Sequence, residues 1–178
     1  MPDRSIDELQ TPSVRRRFDR IDRTITAALA RAGVPVLRIG LGAVFLWFGA
    51  LKFFPGLSPA EDLAARTIGQ LSGGLITAAT SLPILAAWET LIGLGLLTGL
   101  FLRATLLLLA VQMIGTFMPL ILFPSETFTQ FPFAPTLEGQ YIIKNVVLIG
   151  AAMVVGATVR GGRLAPEPAP ASGRPGTP

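Results

Sequence analysis

Four charged residues lie inside long apolar stretches of the sequence: Arg38, Lys52, Glu89 and Lys144. A charged side chain costs roughly 2.5–3.5 kcal/mol at the centre of a transmembrane helix, so each one needs a partner or a function. Two ammonium groups and one carboxylate can form a structural salt-bridge network. They can also line a small cavity with a net positive charge, which would suit an anionic or carbonyl-bearing ligand such as a quinone headgroup. The sequence leaves both interpretations open.

The residue inventory excludes much of enzyme chemistry. The 178 residues include no cysteine and no histidine. Thiolate and imidazole catalysis and the usual zinc ligands are therefore excluded. Since no nucleophile–base pair and no metal-ligand set is visible, we predict no catalytic residue, no metal site and no cofactor.

Four long apolar stretches decide the fold class. Only 15% of the residues are charged and the mean hydropathy is +0.59, whereas a soluble domain carries about 25% charged residues. A helix needs roughly 20 apolar residues to cross about 30 Å of hydrocarbon. We predict an all-α integral membrane protein, an antiparallel bundle of four transmembrane helices. The predicted spans cover residues 34–54, 83–102, 104–124 and 141–159, all within a membrane domain at 34–159.

The basic residues predict the orientation of this bundle. An even number of spans puts both termini on one side, and that side collects eleven arginines. The loops on the other side, at about 55–82 and 125–140, contain Arg66 alone. By the positive-inside rule, both termini are predicted to be cytoplasmic.

Residues 1–33 are predicted to form a cytosolic, basic amphipathic helix. Apolar residues recur there every three or four positions, and the arginines lie largely elsewhere, which suits anionic headgroups. A solvated helix that merely leads into the first span is the alternative. The Pro- and Gly-rich tail at 160–178 is predicted to be disordered. The arginines expected to contact the lipid surface are Arg15, Arg16, Arg17, Arg20 and Arg23.

The intramembrane polar residues are predicted to share one layer in the outer half of the bundle. At 1.5 Å per residue, Lys52, Glu89 and Lys144 all fall within roughly 10 Å of the outer boundary. The third span adds Thr116 at a similar depth and Gln112 about one turn deeper. We therefore predict a ligand-binding or ion-pair cluster formed by these five side chains.

Five residues of the first span are spaced three or four positions apart, so they form one stripe along the helix, and this stripe predicts which face of the span is buried. Two of its five members are glycines, as expected where helix backbones approach closely. Its first member, Arg38, is predicted to be an intramembrane charge on the cytoplasmic side. The stripe consists of Arg38, Gly42, Phe45, Gly49 and Lys52.

The chain resembles the DoxX-like superfamily of bacterial membrane proteins in three segments, LRIGLGAVFLWFGALKFFPG, WETLIGLGLLTG and EGQYIIKNVVLIGAAMVV. The resemblance covers about residues 34–158 and is strongest to the YkgB-type uncharacterised inner-membrane proteins, some of which are linked to resistance to reactive chlorine. It implies a four-helix bundle. It also maps Arg38, Lys52-Phe53, Glu89 and Lys144 onto recurring positions of that branch.

This resemblance also implies a function, since some DoxX-like relatives act as membrane partners of quinone-linked or superoxide-detoxifying enzymes. We expect a non-enzymatic component of a redox or oxidant-stress system, with a site for a quinone-like or small anionic ligand in the outer half of the bundle. A small membrane transporter and a purely structural membrane subunit are the alternatives. The expected partners are a bilayer with anionic headgroups and a membrane or redox protein, not nucleic acid. The expected location is the bacterial plasma (inner) membrane, as a multi-pass protein.

Overall fold

The computed structural model describes residues 12–59 and 61–165. Residues 1–11 of the predicted N-terminal helix and residues 166–178 of the predicted disordered tail lie outside this part. The side chains of residues 12–15, including Arg15, lie outside it as well. Four helical segments of the described chain are long and apolar enough to span a membrane, so the predicted all-α, four-span architecture is confirmed. The elements are α1 (Pro12–Leu51), α2 (Glu61–Leu71), α3 (Ala78–Thr98), α4 (Leu102–Phe117), α5 (Pro119–Leu122), α6 (Pro124–Thr127), β1 (Phe128–Gln130), β2 (Ala134–Pro135) and α7 (Leu137–Ala157).

The predicted N-terminal helix and the first span form one continuous helix, α1, of 40 residues. Pro35 lies inside it, close to the predicted boundary at residues 33 and 34, and does not end it. At 1.5 Å per residue α1 is about 60 Å long, roughly twice the hydrocarbon thickness of a bilayer. The first half of α1 therefore extends well beyond the ends of the other three spans.

Helices α1 and α3 form the most extensive contact of the bundle, and glycines allow it. A Cβ added at Gly49 would lie 2.7 Å from the backbone nitrogen of Thr90, and one added at Gly42 would lie 3.0 Å from that of Leu97. From the opposite side, a Cβ at Gly93 would collide with the backbone of Leu46. The two backbones approach so closely that these three positions have no room for a side chain.

Further contacts close the bundle in the order α1, α3, α4, α7 and back to α1. The largest fully buried side chains of its apolar core are Ile92 and Leu96 from α3, Leu109 from α4 and Val155 from α7. The antiparallel arrangement puts the start of the third span and the end of the fourth beside the middle of α1. We call this the termini end, and the opposite end, with α2, α6 and the β1–β2 hairpin, the loop end.

The loop end is held by an ion pair between two connecting segments. Arg66 of α2 donates to both carboxylate oxygens of Glu126 of α6, at 2.8 and 2.6 Å, and to Asp62 at 2.9 Å. Its guanidinium also lies 5.0 Å from the ring centre of Phe123. Hydrogen bonding from Arg66 lowers the pKa of the Glu126 carboxyl below its ordinary value. The segment between the first two spans is thereby tied to the segment between the last two.

We predict that Gly93→Ala destabilises the protein by about 1–3 kcal/mol, because its new methyl group would collide with the backbone of α1, which cannot rotate away. Gly40→Ala is the matched control, since a Cβ at Gly40 meets nothing within 4 Å. Thermal unfolding of detergent-solubilised protein measures both. An unchanged unfolding midpoint for Gly93→Ala would contradict the close contact of α1 and α3.

The Arg66–Glu126 pair makes stability dependent on pH. Because the folded-state pKa of Glu126 is depressed, its stabilising effect is present above the unfolded-state pKa and is lost as the pH falls through the folded-state pKa. We predict that the unfolding midpoint of the wild type falls more between about pH 6 and pH 3 than that of Glu126→Gln. Glu138→Gln, which removes another exposed carboxylate, should keep the wild-type pH dependence. Identical pH profiles for the wild type and Glu126→Gln would refute this role.

Candidate functional site: a buried ion pair shared by three helices

The glycine contact between α1 and α3 brings two charged residues together. Gly49 packs against the Cβ of Glu89, at 2.8 Å from the position of its missing side chain. Lys52 follows three residues later, in the turn that ends α1, where its N–H donates to the Gly49 carbonyl. This turn places the Lys52 side chain beside Glu89 of α3. The sequence predicted the faces of both residues but not that they oppose each other.

Glu89 accepts one hydrogen bond on each carboxylate oxygen, each from a different helix. The Lys52 ammonium lies 2.6 Å from Oε2, and the Gln112 amide of α4 donates to Oε1 at 3.0 Å. The side chains of Lys52 and Glu89 are only 8% and 11% exposed. The ammonium also donates to the Phe48 carbonyl, at 3.3 Å. A buried carboxylate with a cation and an amide donor avoids much of the penalty of an unpaired charge.

Each donor of this Lys52–Glu89–Gln112 cluster retains unused hydrogen-bonding capacity. An ammonium group has three protons, and Lys52 uses two of them on acceptors within the described residues. Gln112 uses one amide proton there, which leaves its second N–H and its carbonyl oxygen. The cluster is neutral overall and can still donate to a carbonyl oxygen.

The structure does not bring Lys144 to this cluster. Lys144 shares a helix face with Leu148 and Ala151, four and seven residues later, but its side chain is exposed. Its ammonium lies 5.5 Å from the ring centre of Tyr141, one turn earlier on α7. The position of a residue on a helix shows which face it belongs to, but not whether another helix packs against that face at the same depth. Among the described residues, no helix buries the Lys144 side chain. The expected cavity with two cations and one carboxylate is therefore replaced by a neutral ion pair.

The remaining predicted residues lie outside the ion pair. Thr116 is half-buried on α4 and donates to the carbonyl of Gln112 within its own helix, at 2.9 Å. Arg38 lies at the termini end, as predicted from its position on the stripe, with its guanidinium against Gly99. Among the described residues, no three carboxylate, histidine or cysteine side chains come close enough to hold a metal ion.

Sequence reasoning missed one polar residue beside the cluster. The hydroxyl of Thr90 is buried and has no hydrogen-bond partner within the described residues. Such orphaned groups are rare and costly in folded proteins. The sequence did contain an indication, since Thr90 directly follows the intramembrane carboxylate.

We predict that Glu89→Gln destabilises the protein by up to about 3–5 kcal/mol, because it leaves the Lys52 ammonium buried without its counter-charge. The double variant Lys52→Met/Glu89→Gln should recover most of that loss. Lys144→Met is the matched control and should leave stability unchanged. Thermal unfolding in detergent gives the double-mutant cycle. Purely additive losses for the Lys52 and Glu89 substitutions would contradict the pairing.

Comparison with known proteins gives a family for the chain. The family model described as DoxX matches residues 33–123, which include the α1–α3 contact and all three residues of the cluster. No curated protein and no solved structure matches the chain at a significant level. The finer YkgB-type assignment and the resemblance of the last span stay predictions. Because the family model covers more than half of the chain, this multi-pass membrane protein belongs to the DoxX family.

Proposed function

We propose that this protein is a non-enzymatic component of a redox or oxidant-stress system in a bacterial plasma membrane. We further propose that its Lys52–Glu89–Gln112 cluster receives the headgroup of a quinone-like lipid. The resemblance to DoxX-like partners of quinone-linked enzymes supports the redox part. The geometry of the cluster supports the binding part.

The observation that carries the proposal is the unused donor capacity of Lys52 and Gln112. The carbonyl oxygens of a quinone only accept hydrogen bonds, so they match these donors. Glu89 already neutralises the ammonium, and this favours a neutral carbonyl-bearing headgroup over the small anion that the sequence also allowed. Phe48 and Phe53, both about half-exposed, flank Lys52 with aromatic surface on which a flat ring can stack.

The same geometry argues against acid–base catalysis at Glu89. Each of its oxygens already accepts a bond from a fixed donor and its side chain is only 11% exposed, so a substrate proton has little access to it. The cluster is therefore suited to holding a ligand in place. Redox chemistry would belong to the bound quinone and to a partner enzyme.

A purely structural membrane subunit is the second candidate. The observation that favours it is the full pairing of Glu89, which by itself joins α1, α3 and α4. A transporter would need a polar path through the bundle. Between the cluster and the termini end, the described residues instead form a closed apolar core around Ile92, Leu96, Leu109 and Val155.

The orientation and the lipid contact stay part of this proposal. The excess of arginines at the termini end supports cytoplasmic termini. On the first half of α1, Phe18 and Leu29 expose apolar surface, at 69% and 64%. This amphipathic surface supports contact with anionic headgroups. The basic residues on this half of α1, all exposed, are Arg16, Arg17, Arg20 and Arg23.

The proposal predicts that quinone copurifies with the wild-type protein and with Lys144→Met. It should be lost from Lys52→Met/Glu89→Gln, which removes the ammonium donor but leaves no unpaired charge, and reduced in Gln112→Leu. The measurement is purification from native membranes in mild detergent, followed by mass spectrometry of extracted lipid per mole of protein. Survival of oxidant challenge by a deletion strain that carries each variant is the second readout.

The outcomes separate the two candidates. Loss of both quinone and oxidant survival in the stable double variant supports the ligand site. A double variant that is stable and fully restores survival without quinone would favour the structural subunit. Absence of quinone from the wild type would overturn the binding part.

A further inference from the structure

A second candidate site lies at the termini end, far from the ion pair. A cavity of about 720 Å³ opens there between α1, the turn from α3 to α4, and the end of α7. Pro35 and Arg38 line it from α1, Gly99 and Arg103 from the turn and the start of α4, and Thr158 from the end of α7. Three of the four spans thus meet around it.

Arg38 is the central charge of this cavity. Its guanidinium occupies the space that a side chain at Gly99 would fill, and Gly99 ends α3 with a positive φ of 73°. A glycine there both permits the left-handed turn and makes room for the arginine. Arg38 is half-buried, yet it makes no hydrogen bond and no ion pair within the described part of the chain. A guanidinium group has five N–H donors, so its hydrogen-bonding capacity is unused.

Arg103 adds a second positive charge, and among the residues that the structure describes the lining contains no carboxylate to balance the two. The first turn of α4 adds Leu102 and Ala104 to the wall, and no side chain caps this helix start. Two guanidinium groups without a counter-charge at one cavity define a site for an anion. Phosphate suits them best, because the planar fork of arginine matches its oxygen atoms in a bidentate manner.

A separate apolar groove begins near this cavity and runs along α4 toward the loop end. It lies between α4 and α7, has a volume of about 370 Å³, and begins at Leu106 and Gly156, within about one turn of the cavity. It ends at Phe117, so it runs for about 16 Å along α4. That length is about half of the hydrocarbon thickness, the depth of one bilayer leaflet. Leu109, Met113 and Ala152 contribute to its walls.

From these two features together we infer that the protein binds one anionic glycerophospholipid. Its phosphate group sits between Arg38 and Arg103, and one of its acyl chains lies in the α4–α7 groove. The cavity alone would fit any phosphate, but the apolar groove that begins within about one turn of it fits a phosphate that carries a long hydrocarbon chain. The lipid comes from the leaflet at the termini end, so this site is independent of the loop-end cluster and of any quinone there.

The experiment uses the full-length protein, stripped of lipid in detergent and titrated with dioleoyl-phosphatidylglycerol or dioleoyl-phosphatidylcholine under native mass spectrometry. We expect one tightly bound phosphatidylglycerol and weaker phosphatidylcholine binding. Arg38→Gln and Arg103→Gln should each weaken phosphatidylglycerol binding by roughly fivefold. Arg160→Gln, which removes an exposed charge at the same end but outside the cavity, should not. Arg38→Lys, which keeps the charge, is the second variant should Arg38→Gln fold poorly, and it should retain part of the binding.

Ala110→Phe tests the groove, because Ala110 is an exposed groove residue where a ring would fill the space of the acyl chain. It should weaken phosphatidylglycerol binding and leave the affinity of the Arg38–Arg103 cavity for inorganic phosphate unchanged, since Ala110 does not line that cavity. Binding that inorganic phosphate abolishes and Ala110→Phe does not change would mean a site for free phosphate and would overturn the lipid. Equal losses for Arg160→Gln and Arg38→Gln would mean general charge attraction and would overturn the site. Neither result bears on quinone binding.

Discussion

The close backbone contact between α1 and α3 is the constraint on which the other features of this bundle depend. Gly49 and Gly93 bring the two helices together in a fixed antiparallel register, with Gly49 against Glu89 and Gly93 against Leu46. In that register Lys52 reaches Glu89 at one end, and Arg38 reaches Gly99 at the other. A slip of one helical turn would separate both pairs at once, and it would force side chains into positions where there is room only for hydrogen atoms.

The same register explains why one face of α1 contains both a neutral polar site and a positively charged one. At the loop end the lysine meets a carboxylate, and Gln112 completes the second oxygen, so the cluster is neutral and nearly closed. At the termini end Arg38 lies against Gly99 and has no carboxylate partner within the described residues, so its charge stays available. The Lys52–Glu89 pair can be buried because its opposite charges attract each other strongly in a low dielectric. The second site can keep its charge because it opens toward headgroups and water.

The periodicity of the sequence predicted much of this fold, but it did not predict which helices are neighbours in the bundle. Spacing of three and four residues was sufficient to put Gly42, Gly49 and Lys52 on one buried face, and hydropathy was sufficient to find four spans. Which helix faces which depends on side-chain packing between segments distant in the chain. The sequence therefore predicted that Lys52, Glu89 and Gln112 lie in one layer, but only the structure shows that Lys52 and Gln112 each donate to Glu89. Lys144 shows the same limit, since its helical phase is that of Ala151 but no neighbour covers it.

Pro35 illustrates a second limit of local rules. A proline removes one backbone hydrogen bond, and in a soluble helix this often marks a boundary. A break at Pro35 would create two new helix ends, each with about four unpaired backbone groups, whereas the proline itself removes a single hydrogen bond. Continuing α1 through Pro35 is therefore the less costly solution. As a consequence, Arg38 lies on the same unbroken helix as Gly42 and Gly49. The contact of these glycines with α3 therefore also sets the position of the Arg38 guanidinium at the termini end.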